Sequence, residues 1–267
     1  MKLFDSHIHL QDEKLSADLP AHITRANQMG VKNFCCNSTC QSDWQAVSDL
    51  AKKYSSIIPG FGIHPWFVET ASQNSLAELR ELLSAGGAFV GEIGLDRWVK
   101  TRDEKLQQEI FLAQLQLAAE LDLPVSIHCL KAWDWMMTLL KNEKKLPSRI
   151  HFHAFNPPDH FLQKLIDAGF YFSFSGHVLY ENRKAQQARL AKIPLTQLLL
   201  ETDAPDMKPP VIHLNKKTLS PEKFNFNTPA NLEFICRGIA AILKIEPAKL
   251  ADITTRNAMR FWAPVMK

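Results

Sequence analysis

The chain has 267 residues, of which 46% are hydrophobic and 22% charged, with a formal net charge of +3 at pH 7. This is ordinary globular composition with ample apolar content for a sizeable core. So small a net charge is no sign of nucleic-acid capture by bulk electrostatics, and it leaves a local basic groove open.

The opening MKLFDSHIHLQDEK turns polar too soon for the apolar core of a signal peptide, and no apolar run nears the roughly 18 residues of a membrane span. The five cysteines are too sparse for a disulfide framework, so a cytoplasmic location is expected. Short apolar, β-leaning runs then recur, with helix-like segments between them. LFDSHIH near residue 3 is followed by VKNFCCN at 31, IIPGFGIH at 57 and AFVGEIGL at 88. LPVSIHC at 123, RIHFHAF at 149, FYFSFSG at 170 and QLLLETD at 197 complete the series. SLAELRELLSA and DEKLQQEIFLAQLQLAAELD space their apolar residues at three and four, and Ser75 and Asp103 stand where N-caps start those helices.

After residue 206, MKPPVIHLNKKTLSPEKFNFNTP is the longest irregular, Pro-rich stretch and is expected over the mouth of a site. Two helices, NLEFICRGIAAIL and PAKLADITTRNAMRFW, close the chain. Eight strands alternating with helices predict a parallel sheet. At this length the natural reading is a single α/β domain, a (β/α)8 TIM barrel over residues 1–267. A doubly wound open sheet is the alternative.

Polar residues fall in a pattern. His7 and His9, His64, Glu92, His128, His153 and Asp203 each lie at or just past the C-terminal end of a strand. In a β/α barrel those ends converge on the face that carries the active site, and buried imidazoles and carboxylates need a partner or a ligand. His7 and His9, at i and i+2, project to one side and either chelate a divalent ion or pack as hydrogen-bonded histidines. Asp5 would support them or simply close its strand. Glu92 is a ligand or one half of a salt bridge; a carboxylate can bridge two cations. Asp96 would orient a ligand or a loop. His151 shares the face of His153 one layer deeper, which makes it the rival ligand on that strand. Asp203 can touch a metal and accept a proton from water, with Glu201 deeper on the same side as a structural partner. His64 is a substrate-contacting, proton-handling or loop-capping group.

Cys35, Cys36 and Cys40 lack the second Cys/His pair of a zinc finger, and Cys129 would point away from His128 on an extended strand. GEIGLD is not a GxGxxG phosphate loop. Lys131, Lys208, Lys216 and Lys217 in the mouth loops would meet phosphates or form a solvated surface. Trp66, Trp98 and Trp133 would stack bases or pack against neighbouring loops.

DSHIHL, GIHP, GEIGLD, LPVSIHC, HFHAF, SFSG and LLLETDAP occur in the order seen in TatD-type metal-dependent hydrolases, of the amidohydrolase-like TIM-barrel group. With Pro229, Asn231 and the closing TTRNAMRFW, the chain resembles that family along essentially its whole length. The resemblance implies a first metal on His7, His9 and Asp203, a second on His128 and His153, and Glu92 shared between them. It also implies divalent-dependent DNase activity, often exonucleolytic from the 3′ end. The chain departs from the family pattern in HCLKAWD, where Lys131 is the nearest base, in FNPPDH, in NFNT before Pro229, and at Asp206. These departures spare the ligands and bear on substrate contacts.

The expectation is therefore metal-assisted hydrolysis with two divalent cations (Mg, Mn or Zn). Asp203 takes a proton from water, and water or His64 protonates the leaving group. DNA or another phosphodiester is the expected substrate. A small ester or amide is the second reading, and a catalytically silent barrel that binds nucleic acid or protein the third. No obligate protein partner or membrane is expected.

Overall fold

Val, Ile, Leu and Phe, which fit a pleated and buried surface, dominate the eight runs, and each forms a strand. They are β1 (Leu3–Ile8), β2 (Val31–Asn37), β3 (Ile57–Phe61), β4 (Phe89–Asp96), β5 (Val125–Leu130), β6 (Ile150–Phe152), β7 (Tyr171–Phe174) and β8 (Leu198–Leu200). The computed structural model describes residues 1–98, 103–214, 217–219 and 224–266. Helices stand between and after the strands: α1 (Glu13–Ser16), α2 (Leu19–Gln28), α3 (Trp44–Lys53), α4 (Ser75–Ser84) and α5 (Glu104–Leu121). Then come α6 (Trp133–Asn142), α7 (Asp159–Asp167), α8 (Lys184–Leu190), α9 (Leu232–Leu243) and α10 (Pro247–Trp262).

The strands form one sheet in the order β1 to β8, each beside its neighbour in sequence. A doubly wound sheet would reverse direction at a switch point, and this order does not. The fold is the expected (β/α)8 barrel. Beyond β8, the Asp203 N–H donates to the His7 carbonyl at 2.9 Å and the His9 N–H donates to the Ala204 carbonyl at 2.9 Å. Among the described residues, no helix is long and apolar enough to cross a membrane.

The chain divides into two compact units, Met1–Cys35 with Ala154–Arg260, and Cys36–His153 with Phe261–Lys267. In the first, Phe155 packs on Phe172 with ring centroids 4.1 Å apart. Asn257 of α10 donates to the Leu195 and Leu198 carbonyls at 2.6 and 2.9 Å, which fastens that helix to the start of β8. The stretch expected to be irregular contains a hairpin, β9 (Ile212–Leu214) and β10 (Lys217–Leu219), paired antiparallel with Leu214 opposite Lys217. Lys216, between the two strands, lies outside the described residues.

In the second unit, Phe89 of β4 meets Trp262 with centroids 4.5 Å apart. Asp103 caps α5 by accepting from the Leu106 N–H at 3.0 Å, as its position predicted. The α4 cap is Asn74, so Ser75 is instead the first helical residue, one position inside. Gly94 in β4 lies opposite His128 of β5 with φ at +155°, and a Cβ there would come within 1.9 Å of the His128 carbonyl oxygen. Only glycine allows that close approach of backbones.

Candidate metal centre

In the first unit, β1 alternates inward and outward, so His7 and His9 share a face. Their Nε2 atoms are 3.3 Å apart. The Asp203 Oδ1 lies 3.4 Å from His9 Nε2 and 3.7 Å from His7 Nε2. Two donors held about 2.0–2.1 Å from one tetrahedral ion stand roughly 3.3 Å apart. This set of two imidazole nitrogens and one carboxylate oxygen therefore fits a divalent cation without rearrangement. Asp203 has a φ of +54°, an uncommon conformation for a non-glycine residue and one found at functional sites.

Buried groups hold this cluster in place. Asp5 accepts from the Thr202 N–H at 2.9 Å, from the Thr202 hydroxyl at 2.6 Å and from the His7 N–H at 3.4 Å. Burial pushes its carboxyl up to about 7, although the Thr202 hydrogen bonds oppose the rise. Glu201 accepts from the Ala154 N–H at 2.8 Å and from the Ser173 hydroxyl. Its burial, with Asp203 nearby, lifts its pKa well above the usual range. Asn227, in the NFNT departure, donates to the Thr202 carbonyl at 2.8 Å, and Asn231 donates to Asn227 Oδ1 at 2.9 Å. Sequence reasoning found Asp5 and Glu201 but passed over Thr202 and Asn227. Their only signal was an uncharged polar residue beside a motif.

In the second unit, Glu92 stands where the β4–β5 register shifts, between Val90 and Ile93, and its N–H donates to the Ser38 carbonyl at 3.0 Å. Such irregularities re-aim a side chain. Its Oε1 lies 2.7 Å from His153 Nε2, 3.1 Å from His128 Nδ1 and 3.5 Å from His64 Nε2. His128 Nδ1 and His153 Nε2 are themselves 3.0 Å apart. One carboxylate oxygen between two imidazoles is again a divalent-metal donor set.

Asp96 completes the second cluster. Its Oδ2 takes the far nitrogen of His128 at 3.0 Å, which turns Nδ1 towards Glu92, the carboxylate–histidine arrangement that orients metal ligands. Burial opposes the charged ring of His128, but the hydrogen bonds to Asp96 and Glu92 outweigh it and raise the pKa to about 9. Burial also raises Asp96, yet its bonds to His128 win and hold it below the usual range.

His64 goes the other way. Burial drives it down to about 3 against the pull of Glu92. Its Nδ1 accepts from the Trp66 N–H at 3.1 Å, so the neutral ring carries its proton on Nε2, facing Glu92. His151 is fully buried, 3.2 Å from the Ser126 hydroxyl and 5.8 Å from the Trp262 ring, whereas His153 reaches Glu92.

The aromatic and basic residues also separate. Trp133 is 7% exposed and packs on Phe152, so it offers no stacking face. Trp66 and Trp98 are 40% and 59% exposed. Lys208 donates to the Phe224 carbonyl, whereas the Lys131 ammonium lies 4.2 Å from the Trp98 ring centre.

The profile of the family described as TatD related DNase matches residues 4–263. The 3′-5′ ssDNA/RNA exonuclease TatD of Cronobacter sakazakii is 31% identical over 264 residues, covering 97% of both chains. The uncharacterized metal-dependent hydrolase YabD of Bacillus subtilis is 29% identical, covering 97% of this chain and 98% of its own. Among solved structures, the Escherichia coli TatD homologue YjjV superposes with a TM-score of 0.88 at 28% identity, covering 98% of each chain.

Proposed function

The chain belongs to the TatD-related DNase family of metal-dependent hydrolases, and from that premise we propose that it hydrolyses phosphodiester bonds in single-stranded DNA, trimming from the 3′ end as a single domain. The observation that carries this reading is the pair of donor clusters, His7, His9 and Asp203 in one unit and Glu92, His128 and His153 in the other. The first would hold one divalent ion, and Glu92, His128 and His153 would hold another. Bound ions supply Lewis acidity and lower the pKa of water.

The remaining roles belong to the chain. Asp203 accepts the proton of the attacking water at Oδ1. Asp96 keeps His128 turned for ligation. His64, neutral at physiological pH, sets its Nε2 3.5 Å from Glu92 Oε1 and steadies that carboxylate. A neutral imidazole is too weak an acid to protonate the leaving group, so water supplies that proton.

The test is protein stripped of metal, reconstituted with Mg, Mn or Zn, and assayed on a labelled single-stranded oligonucleotide beside a panel of small esters and amides. Metal-dependent shortening from the 3′ end is expected. Turnover of an ester or amide with no cleavage of DNA would replace the nuclease reading. Neither activity, with no metal retained, would leave a silent binding barrel.

A further inference from the structure

Asp96 does more than orient His128. Its Oδ2 also accepts the Trp66 indole N–H at 2.7 Å, and its Oδ1 accepts the Trp98 backbone N–H at 2.6 Å. One buried carboxylate thus ties the Trp66 indole and the Trp98 backbone to His128. Trp66 stands edge-on to His64, with ring centroids 5.3 Å apart, so its ring borders the same cluster. Tryptophans with 40% and 59% of their surface in water are unusual outside binding sites, because each leaves a large apolar face hydrated.

Lys131 adds charge to this shelf. It follows β5 in a left-handed conformation (φ +55°), and its ammonium is over the Trp98 ring. Arg97, by contrast, is committed to both carboxylate oxygens of Glu104 at 2.8 and 2.9 Å. Lys131 makes no ion pair with a described residue, so its ammonium is available to an anion. An aromatic face with a cation on it, tied by one carboxylate to a metal ligand, suits a ligand with a flat ring and a phosphate in covalent sequence.

We propose that Trp66, Trp98 and Lys131 form a nucleotide subsite, in which a base of single-stranded nucleic acid stacks on the indoles and its phosphate meets Lys131. The proposal rests on the nuclease reading and gives it a substrate class, a base-bearing strand rather than a bare phosphodiester. Asp96 acts here as a positioning residue that couples the subsite to His128.

The test compares oligothymidylate with an abasic oligomer of equal length, on metal-reconstituted full-length enzyme. Trp98→Ala is expected to raise KM for oligothymidylate about tenfold with a smaller change in kcat, as loss of one base–aromatic stack does. Trp98→Phe should restore most of the loss, and KM for the abasic oligomer should barely move. Lys131→Gln should raise KM on both oligomers and reduce the slope of log affinity against log salt by about 0.7.

Binding of labelled oligothymidylate to Asp203→Asn protein, with and without the Trp98 change, gives a readout independent of cleavage. Wild-type KM and affinity in both Trp98→Ala and Trp66→Ala would overturn the subsite and leave the nuclease reading standing. Trp98-sensitive binding without any cleavage by the wild type would sink the nuclease reading and keep the subsite.

Discussion

The left-handed backbone of Asp203 and its N–H bond to the His7 carbonyl fix where its carboxylate points, and on the proposed reading that carboxylate faces the metal and takes the proton of water. Asp203→Asn should therefore retain the fold while metal-stimulated turnover falls at least about 100-fold, the usual weight of a general base; circular dichroism and kcat together check it. Asp96→Asn keeps the side-chain shape but weakens the grip on His128, so metal affinity should drop about 10–100-fold in a metal titration. A residue remote from this chemistry reports on burial alone. Burial raises the Cys236 thiol from 9.0 to about 12, with its Sγ donating to the Pro247 carbonyl at 3.6 Å. Because the folded pKa is the higher, that stabilisation is complete below pH 9 and is lost as pH rises towards 12. Denaturant titrations should show the wild type losing stability relative to Cys236→Ala across that window, and parallel curves would refute it. As the sequence pattern expected, His7 and His128 lie in strands and His9 and His153 just past them, yet Asp5 finds Thr202 across 197 residues, a pairing no local pattern reveals.

At the scale of the element, β4 is the strand on which most depends. It carries Glu92 and Asp96, lies fully buried, and meets β5 through the unscreened backbone of Gly94. Gly94→Ala would force the strands apart and add left-handed strain, a loss on the order of 3 kcal/mol. Thermal unfolding should show a Tm about 6–12 °C lower, at roughly 2–4 °C per kcal/mol for a chain of this size. Element type and order were legible because hydrophobic periodicity is local. Element ends were less so. Ser75 sits one residue inside α4, and β9–β10 hid in a stretch dominated by prolines and lysines.

For the whole molecule, the proposed reading brings His7, His9 and Asp203 from distant parts of the chain onto one ion, so ions would bind the folded state and not the unfolded one. At a free metal concentration about 100 times Kd this adds about 2.7 kcal/mol. Chelation should lower Tm by about 5–10 °C, reversed by adding back the divalent ion. Calorimetry showing identical transitions with and without chelator would argue that the clusters are hydrogen-bonded polar networks alone.

The sequence by itself determined the eight strands, their sequential order, the barrel they build and the strand-end positions of the histidines and carboxylates that cluster. Those features are written in spacing of two and of three to four, and in which residue type ends each strand. Tertiary structure alone decided which nitrogen of each ring faces which oxygen, that His153 reaches Glu92 while His151 is packed beneath Trp262, and that Trp66 and Trp98 are open where Trp133 is closed. These depend on register, on the approach permitted at Gly94, and on carboxylates such as Asp96 that reach a partner 32 positions away. Side-chain direction is set by what surrounds a residue in space, and that neighbourhood is assembled only when the sheet forms.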